Sequence, residues 1–195
     1  DFKQSEYGKV MLPFVVLRRL DCLLSESKDA VLAVEKTLPQ EADDATRDMI
    51  LFGAVGGNVK VYNLSRFTFE SLKGQDPGQL HQNLIDYITK FSPNVRDIFL
   101  DKFRFTEQLK RLKDGGILWN VFERFCEIDL HPNTISNLEM GYLFEELIRR
   151  FSEMSNETAG EHFTPREVIR LMVDLLIAND DAKLSGRGII RQVYD

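Results

Sequence analysis

The chain has 195 residues, a formal net charge of −6 and 43% hydrophobic residues. That length supports one sizeable core, or one domain with part of a second. The acidity excludes a chain that is basic as a whole, so any contact with nucleic acid must come from a local patch or a more basic partner.

Two distant cysteines, Cys22 and Cys126, suit neither a disulfide framework nor a thiolate metal site, and read as buried thiols in a reducing cytoplasm. The histidines His81, His131 and His162 lack metal-ligand spacing, so no metal is expected. No apolar run reaches the length of a membrane span, and no signal peptide is legible. Fourteen Phe against one Trp point to a Phe-rich helical core.

Taken in order, the first helix is expected over Ser5 to Leu24, with Val10, Phe14 and Leu17 at helical spacing. Pro13 should kink it or mark its true start, because the ring clashes with the carbonyl four residues back. Arg18-Arg19 is its densest basic spot, open to reading as a solvated face or as a phosphate contact. Ser27 to Leu38 forms a second, amphipathic helix ended by Pro39. A third spans Glu41 to Phe52, with Ala45, Met49 and Phe52 on one face, and Gly53, Gly56 and Gly57 break the regular structure after it. These glycines have neither the Lys-Ser/Thr partner nor the spacing of a phosphate loop. A brief extended segment follows at Val59 to Tyr62.

Short helices then alternate with turn residues. Thr68 to Lys73 precedes the breaker Gly74-Gln75-Asp76-Pro77-Gly78, and Leu80, Leu84, Ile85, Ile88 and Phe91 define a clean face stopped by Ser92-Pro93. Val95, Ile98, Phe99 and Phe103 open a new helix, Leu109 and Leu112 a turn closed by Gly115-Gly116, and Ile117 to Phe125 another helix. Breakers every ten to fifteen residues predict an all-α bundle.

Ser136 to Phe151 is the best-defined helix: Ser136 and Glu139 form a capping box ahead of an apolar stripe from Met140 to Phe151. Arg149-Arg150 fall in its last turn, where cations suit the helix dipole. Thr164 and Glu167 form another capping box with Pro165 at the first helical position. Read locally, Gly160 to Glu167 either only starts a helix or starts one whose free N–H groups also receive an anion. The helix beyond it carries apolar residues from Val168 to Ile177 over nearly its whole circumference and should be buried on more than one side. The run Ile189-Ile190-Arg191-Gln192-Val193-Tyr194-Asp195 reads as a strand cut at its C-terminal edge. With no Met at the start, the chain is expected to be a piece of a longer protein.

Three stretches carry a resemblance. They are Tyr7-Gly8-Lys9-Val10 with Leu12-Pro13-Phe14-Val15-Val16-Leu17-Arg18-Arg19-Leu20-Asp21, then Met140-Gly141-Tyr142-Leu143-Phe144-Glu145-Glu146-Leu147-Ile148-Arg149-Arg150-Phe151, and Gly160-Glu161-His162-Phe163-Thr164-Pro165-Arg166. Together they make the chain resemble the methylation (M) subunit of a type I restriction–modification system over almost its whole length. The resemblance implies a mainly α fold: an N-terminal helical bundle over 1–152, then from 153–195 a linker and the truncated beginning, helix plus first strand, of a Rossmann-like α/β methyltransferase domain. It implies a parent enzyme that methylates adenine at N6 with S-adenosyl-L-methionine.

The family's phenylalanine-threonine-proline motif, which contributes to the cofactor pocket, matches Phe163, Thr164 and Pro165. Glu161, His162 and Arg166 flank it, and Asp195 matches the acidic start of the family's glycine-rich cofactor loop. That loop and the catalytic Asn-Pro-Pro-aromatic motif do not occur in this sequence, so these residues by themselves are expected to hold no catalytic group and to be inactive. Implied partners are double-stranded DNA, the specificity subunit, a second M subunit and the endonuclease subunit, in a bacterial or archaeal cytoplasm and with no membrane. Lys3, Lys9, Arg18 and Arg19 are candidate DNA contacts. The competing reading is a non-enzymatic helical interaction module associating through a Phe-rich surface.

Overall fold

The computed structural model describes residues 3, 6–39, 41–56, 59–154, 164 and 166–178. Its α-helices are α1 (Gly8–Leu24), α2 (Lys28–Thr37), α3 (Asp44–Val55), α4 (Phe69–Lys73), α5 (Leu80–Thr89), α6 (Pro93–Asp97), α7 (Phe105–Asp114), α8 (Leu118–Cys126), α9 (Asn137–Met154) and α10 (Arg166–Ile177). A 3₁₀ turn at Pro77–Gln79 leads into α5, and a π-helical turn at Ile98–Lys102 extends α6. Among the described residues there is no strand, and the fold is mainly α as expected. The segment 189–195, where a first strand is expected, lies outside the described residues.

The core is organised around α1. Phe14 is fully buried, stacked on Phe125 of α8 at 4.8 Å and 13°, and edge-on to Phe105 of α7 at 4.9 Å and 87°. Phe69 of α4 extends the aromatic core to Phe122 at 4.9 Å and to Tyr87 of α5 at 6.1 Å. Offset and edge-on rings satisfy the aromatic quadrupoles while removing large apolar areas from water. A second, smaller core of Val31, Leu51 and Tyr62 lies under the α2–α3 hairpin. The extended segment before α4 is tied to the end of α5 by the Asn63–Phe91 bridge, with Leu64 N–H donating to the Lys90 carbonyl at 2.9 Å.

Local chemistry sets most helix ends. The Asp43 carboxylate accepts from Thr46 N–H at 2.7 Å, Thr68 and Ser71 cap α4 reciprocally, and Gly56 ends α3 at φ 123°, where a Cβ would be strained. The Ser136–Glu139 capping box forms as read, with Ser136 N–H donating to Glu139 at 2.8 Å and Glu139 N–H to the Ser136 hydroxyl at 3.3 Å.

Four details differ from the sequence reading. Pro13 does not start α1, which runs from Gly8; buried Val10, Phe14 and Leu17 hold the helix on both sides of the missing N–H. Gly53 lies inside α3. The buried residue of α3 is Leu51; of the expected face Phe52 packs inward, its ring centre 5.4 Å from that of Tyr62, while Met49 is 69% exposed and Ala45 is exposed. Arg149 and Arg150 do not sit in the last turn of α9, which continues to Met154; Glu146 holds both, at 2.7 Å each. Those two arginines keep the Glu146 carboxyl far down, at about 2.

Candidate functional site

Of the basic residues singled out on α1, Arg18 and Arg19 are committed inside the protein. Arg18 donates to Asp21 at 2.9 Å and to the carbonyl of Ile128 at 2.8 Å, and its guanidinium lies 5.5 Å from the centre of the Phe69 ring. Arg19 donates to the carbonyls of Leu130 and Ile135 at 2.6 and 2.7 Å and to the Asn137 side chain at 2.9 Å. Together they clamp the connection between α8 and α9 onto α1. Lys3 and Lys9 are exposed, and Lys9 projects from the first turn of α1.

A buried polar network that the sequence did not announce lies beside Arg18. Asp21, 7% exposed, accepts from Phe69 N–H at 3.0 Å and from the Tyr87 hydroxyl at 2.9 Å. Burial pushes its carboxyl up, and the Phe69 N–H, the Tyr87 hydroxyl and the Arg18 charge act against that shift. The Lys28 ammonium donates to the Asn63 side-chain oxygen at 2.9 Å and lies 5.4 Å from the Tyr87 ring centre. Burial lowers it to about 8, against the pull of Asp21 and Asp86. Asn63 completes the set by donating to the Tyr87 carbonyl at 2.8 Å and accepting from Ser65 N–H at 2.9 Å. These groups satisfy one another and hold the extended segment against α1 and α5.

Both thiols are free. Cys22 is buried, whereas Cys126 is only half-buried, correcting the expectation for it; its thiol donates to the Phe69 carbonyl at 3.8 Å and is pushed up to about 11 by burial. Among the described residues no cluster of His, Cys, Asp or Glu could hold a metal, and no helix is long and apolar enough to cross a membrane. A groove of about 570 Å³ runs between α1, α7 and α8, lined by Tyr7, Val10, Met11, Leu112, Ile117 and Val121. Arg111 closes its rim, making paired 3.1 Å bonds to Glu6.

The α9–α10 junction bears on the cofactor reading. Of the residues placed there, Thr164 is exposed and Arg166 is half-buried; Glu161, His162, Phe163, Pro165 and Asp195 lie outside the described residues. Arg166, the first residue of α10, turns back onto α9. It pairs with Glu145, and its guanidinium lies 4.6 Å from the centre of the Tyr142 ring. The expectation that α10 is buried on more than one side is not met. None of its residues is buried; Ile177 is half-buried, and the other apolar side chains range from 44% exposed at Val168 to 74% at Leu176. Periodicity reports that a helix needs apolar cover, and among the described residues that cover is absent.

Comparison with known proteins agrees with the order of these features along the chain. The HsdM N-terminal domain family matches residues 1–125, and the N-6 DNA Methylase family matches residues 136–188. The type I restriction enzyme EcoEI methylase subunit of Escherichia coli is 33% identical over 76 residues, covering 39% of this chain and 15% of that protein. The chain thus aligns with a small part of the length of that relative. No solved structure matches the chain.

Proposed function

Because the chain belongs to the HsdM N-terminal domain family, we propose that it forms the N-terminal part of the methylation subunit of a type I restriction–modification system. The parent is an S-adenosyl-L-methionine-dependent enzyme that methylates adenine at N6 in double-stranded DNA, acting in the cytoplasm. The observation that carries this reading is the succession of two family matches, helical domain then N-6 DNA methylase, with Phe163-Thr164-Pro165 inside the second. The helical domain, residues 1–152, helps position DNA and docks the specificity subunit. Residues 153–195 link it to, and begin, the methyltransferase domain. A second methylation subunit and the endonuclease subunit complete the assembly.

In this reading the α10 end receives the α-carboxylate of the cofactor. A helix N-terminus offers unpaired N–H groups and a partial positive charge to an anion, and a threonine hydroxyl can donate beside them. Glu161, His162, Phe163, Thr164 and Pro165 then form one wall of the pocket, flanked by Arg166, with Asp195 at the following loop. The exposed apolar surface of α10 suits burial against the remainder of such a domain.

Calorimetric titration tests it. Full-length protein should bind S-adenosyl-L-methionine, Thr164→Val should weaken that binding, and residues 1–195 alone should bind poorly. An unchanged dissociation constant for Thr164→Val with a lower melting temperature would leave Thr164 only a capping role. Micromolar binding by residues 1–195 would contradict the one-wall pocket.

A further inference from the structure

Resting on that reading, we propose that Arg166 is a positioning residue: its clasp on α9 fixes the start of α10, the helix end that the cofactor would meet, rather than touching the cofactor. Three residues on one face of α9 receive it. Glu145, whose side chain is 19% exposed, takes the charge. Tyr142 lies under the guanidinium, its ring centre 4.6 Å away. Gly141 supplies the space, since a Cβ there would come within 2.9 Å of the Arg166 Nη2.

The glycine is the informative member. It sits in the interior of α9, where glycine is among the poorest helix formers, and a methyl there would push the Arg166 Nη2 aside. Glu145 stands four residues after Gly141 and three after Tyr142, the two spacings that make side chains neighbours on a helix surface. A planar, delocalised cation set over a ring and paired with a carboxylate is held in orientation as well as in place, which a lysine would not achieve. Arg166 is the first residue of α10 and two positions from Thr164, so the clasp acts at the end of the helix that the cofactor would meet.

The test is equilibrium binding of S-adenosyl-L-methionine to full-length protein, alongside thermal melting. Gly141→Ala should raise the dissociation constant about tenfold without lowering the melting temperature, because alanine strengthens α9 while its methyl displaces the guanidinium. Arg166→Gln should weaken binding comparably, and exchanging the charges in Glu145→Arg/Arg166→Glu should recover part of the loss. Wild-type affinity in both single variants overturns the inference and leaves the cofactor reading standing. Weakening by Arg166→Gln but not by Gly141→Ala also overturns it, in favour of direct contact with the cofactor. A wild-type protein that fails to bind the cofactor removes the functional reading and this inference together.

Discussion

The Arg19 guanidinium donates to the Ile135 carbonyl at 2.7 Å, across 116 positions of sequence. With the Leu130 carbonyl at 2.6 Å and the Asn137 side chain at 2.9 Å, one fork spans the whole connection from α8 to α9. These carbonyls belong to a segment without a regular ladder, and removing their donor leaves them short of a partner. Arg19→Ala should therefore destabilise the fold by about 2 kcal/mol, and Arg19→Lys by nearly as much, because an ammonium cannot reproduce the fork. Urea denaturation reads the difference. A loss below roughly 0.5 kcal/mol, the range of neutral surface changes, would show that the clamp contributes little.

That commitment separates the candidate DNA contacts. Lys9 is exposed at the start of α1, whereas the Arg19 guanidinium makes three hydrogen bonds within the protein. In the assembled complex, Lys9→Gln should lower the slope of log affinity against log salt by about 1, the signature of one lost phosphate contact. Arg19→Gln should leave that slope unchanged. Fluorescence anisotropy at several salt concentrations distinguishes them, and a slope change for Arg19→Gln would return that residue to the DNA interface.

What the sequence made legible depended on where the determinant lay. The start of α9 was readable because both members of its capping box are side chains three residues apart, and both bonds form. The role of Arg18 and Arg19 was not, because most of their acceptors are backbone carbonyls some 110 positions away, which carry no residue-type signal. In α3, Ala45, Met49 and Phe52 share helical spacing, but so do Leu51 and Val55, and only the packing against Val31 and Tyr62 decides between the stripes. At the candidate site, Gly141-Tyr142 and Arg166 each stand in a stretch that carries the family resemblance, but nothing in the sequence says that one grips the other.

Phe14 joins three helices through two rings, and its side chain is fully buried. Phe14→Ala removes that apolar area and leaves a cavity bounded by Phe105 and Phe125, which α1 cannot close without losing its other contacts. The expected cost is about 4 kcal/mol, a large share of the stability of a domain this size. Phe14→Leu, which refills most of the space, should cost clearly less. Equal losses for the two, measured by denaturant titration, would mean that the aromatic pairing rather than the volume matters.

Lys28 makes stability rise with pH, as a salt-bridged carboxylate does, but in the alkaline range and because burial disfavours its cation. Its amine titrates at about 8 in the folded chain, below the ordinary value of 10.5, chiefly because burial disfavours the cation. Between those values the unfolded chain binds the extra proton, so this group's contribution to stability rises with pH from about 8 to about 10.5. Below about 8 the native state carries the full cost of a buried ammonium. Lys28→Met removes the titration while keeping an apolar stem of similar length, and Asn63 keeps its bonds to Ser65 N–H and the Tyr87 carbonyl. The variant should thus gain on the parent at neutral pH, and the gap should narrow as pH rises towards 10. A stability difference that stays constant over that range, followed by chemical denaturation at fixed ionic strength, would mean that Lys28 titrates alike in the folded and unfolded chain.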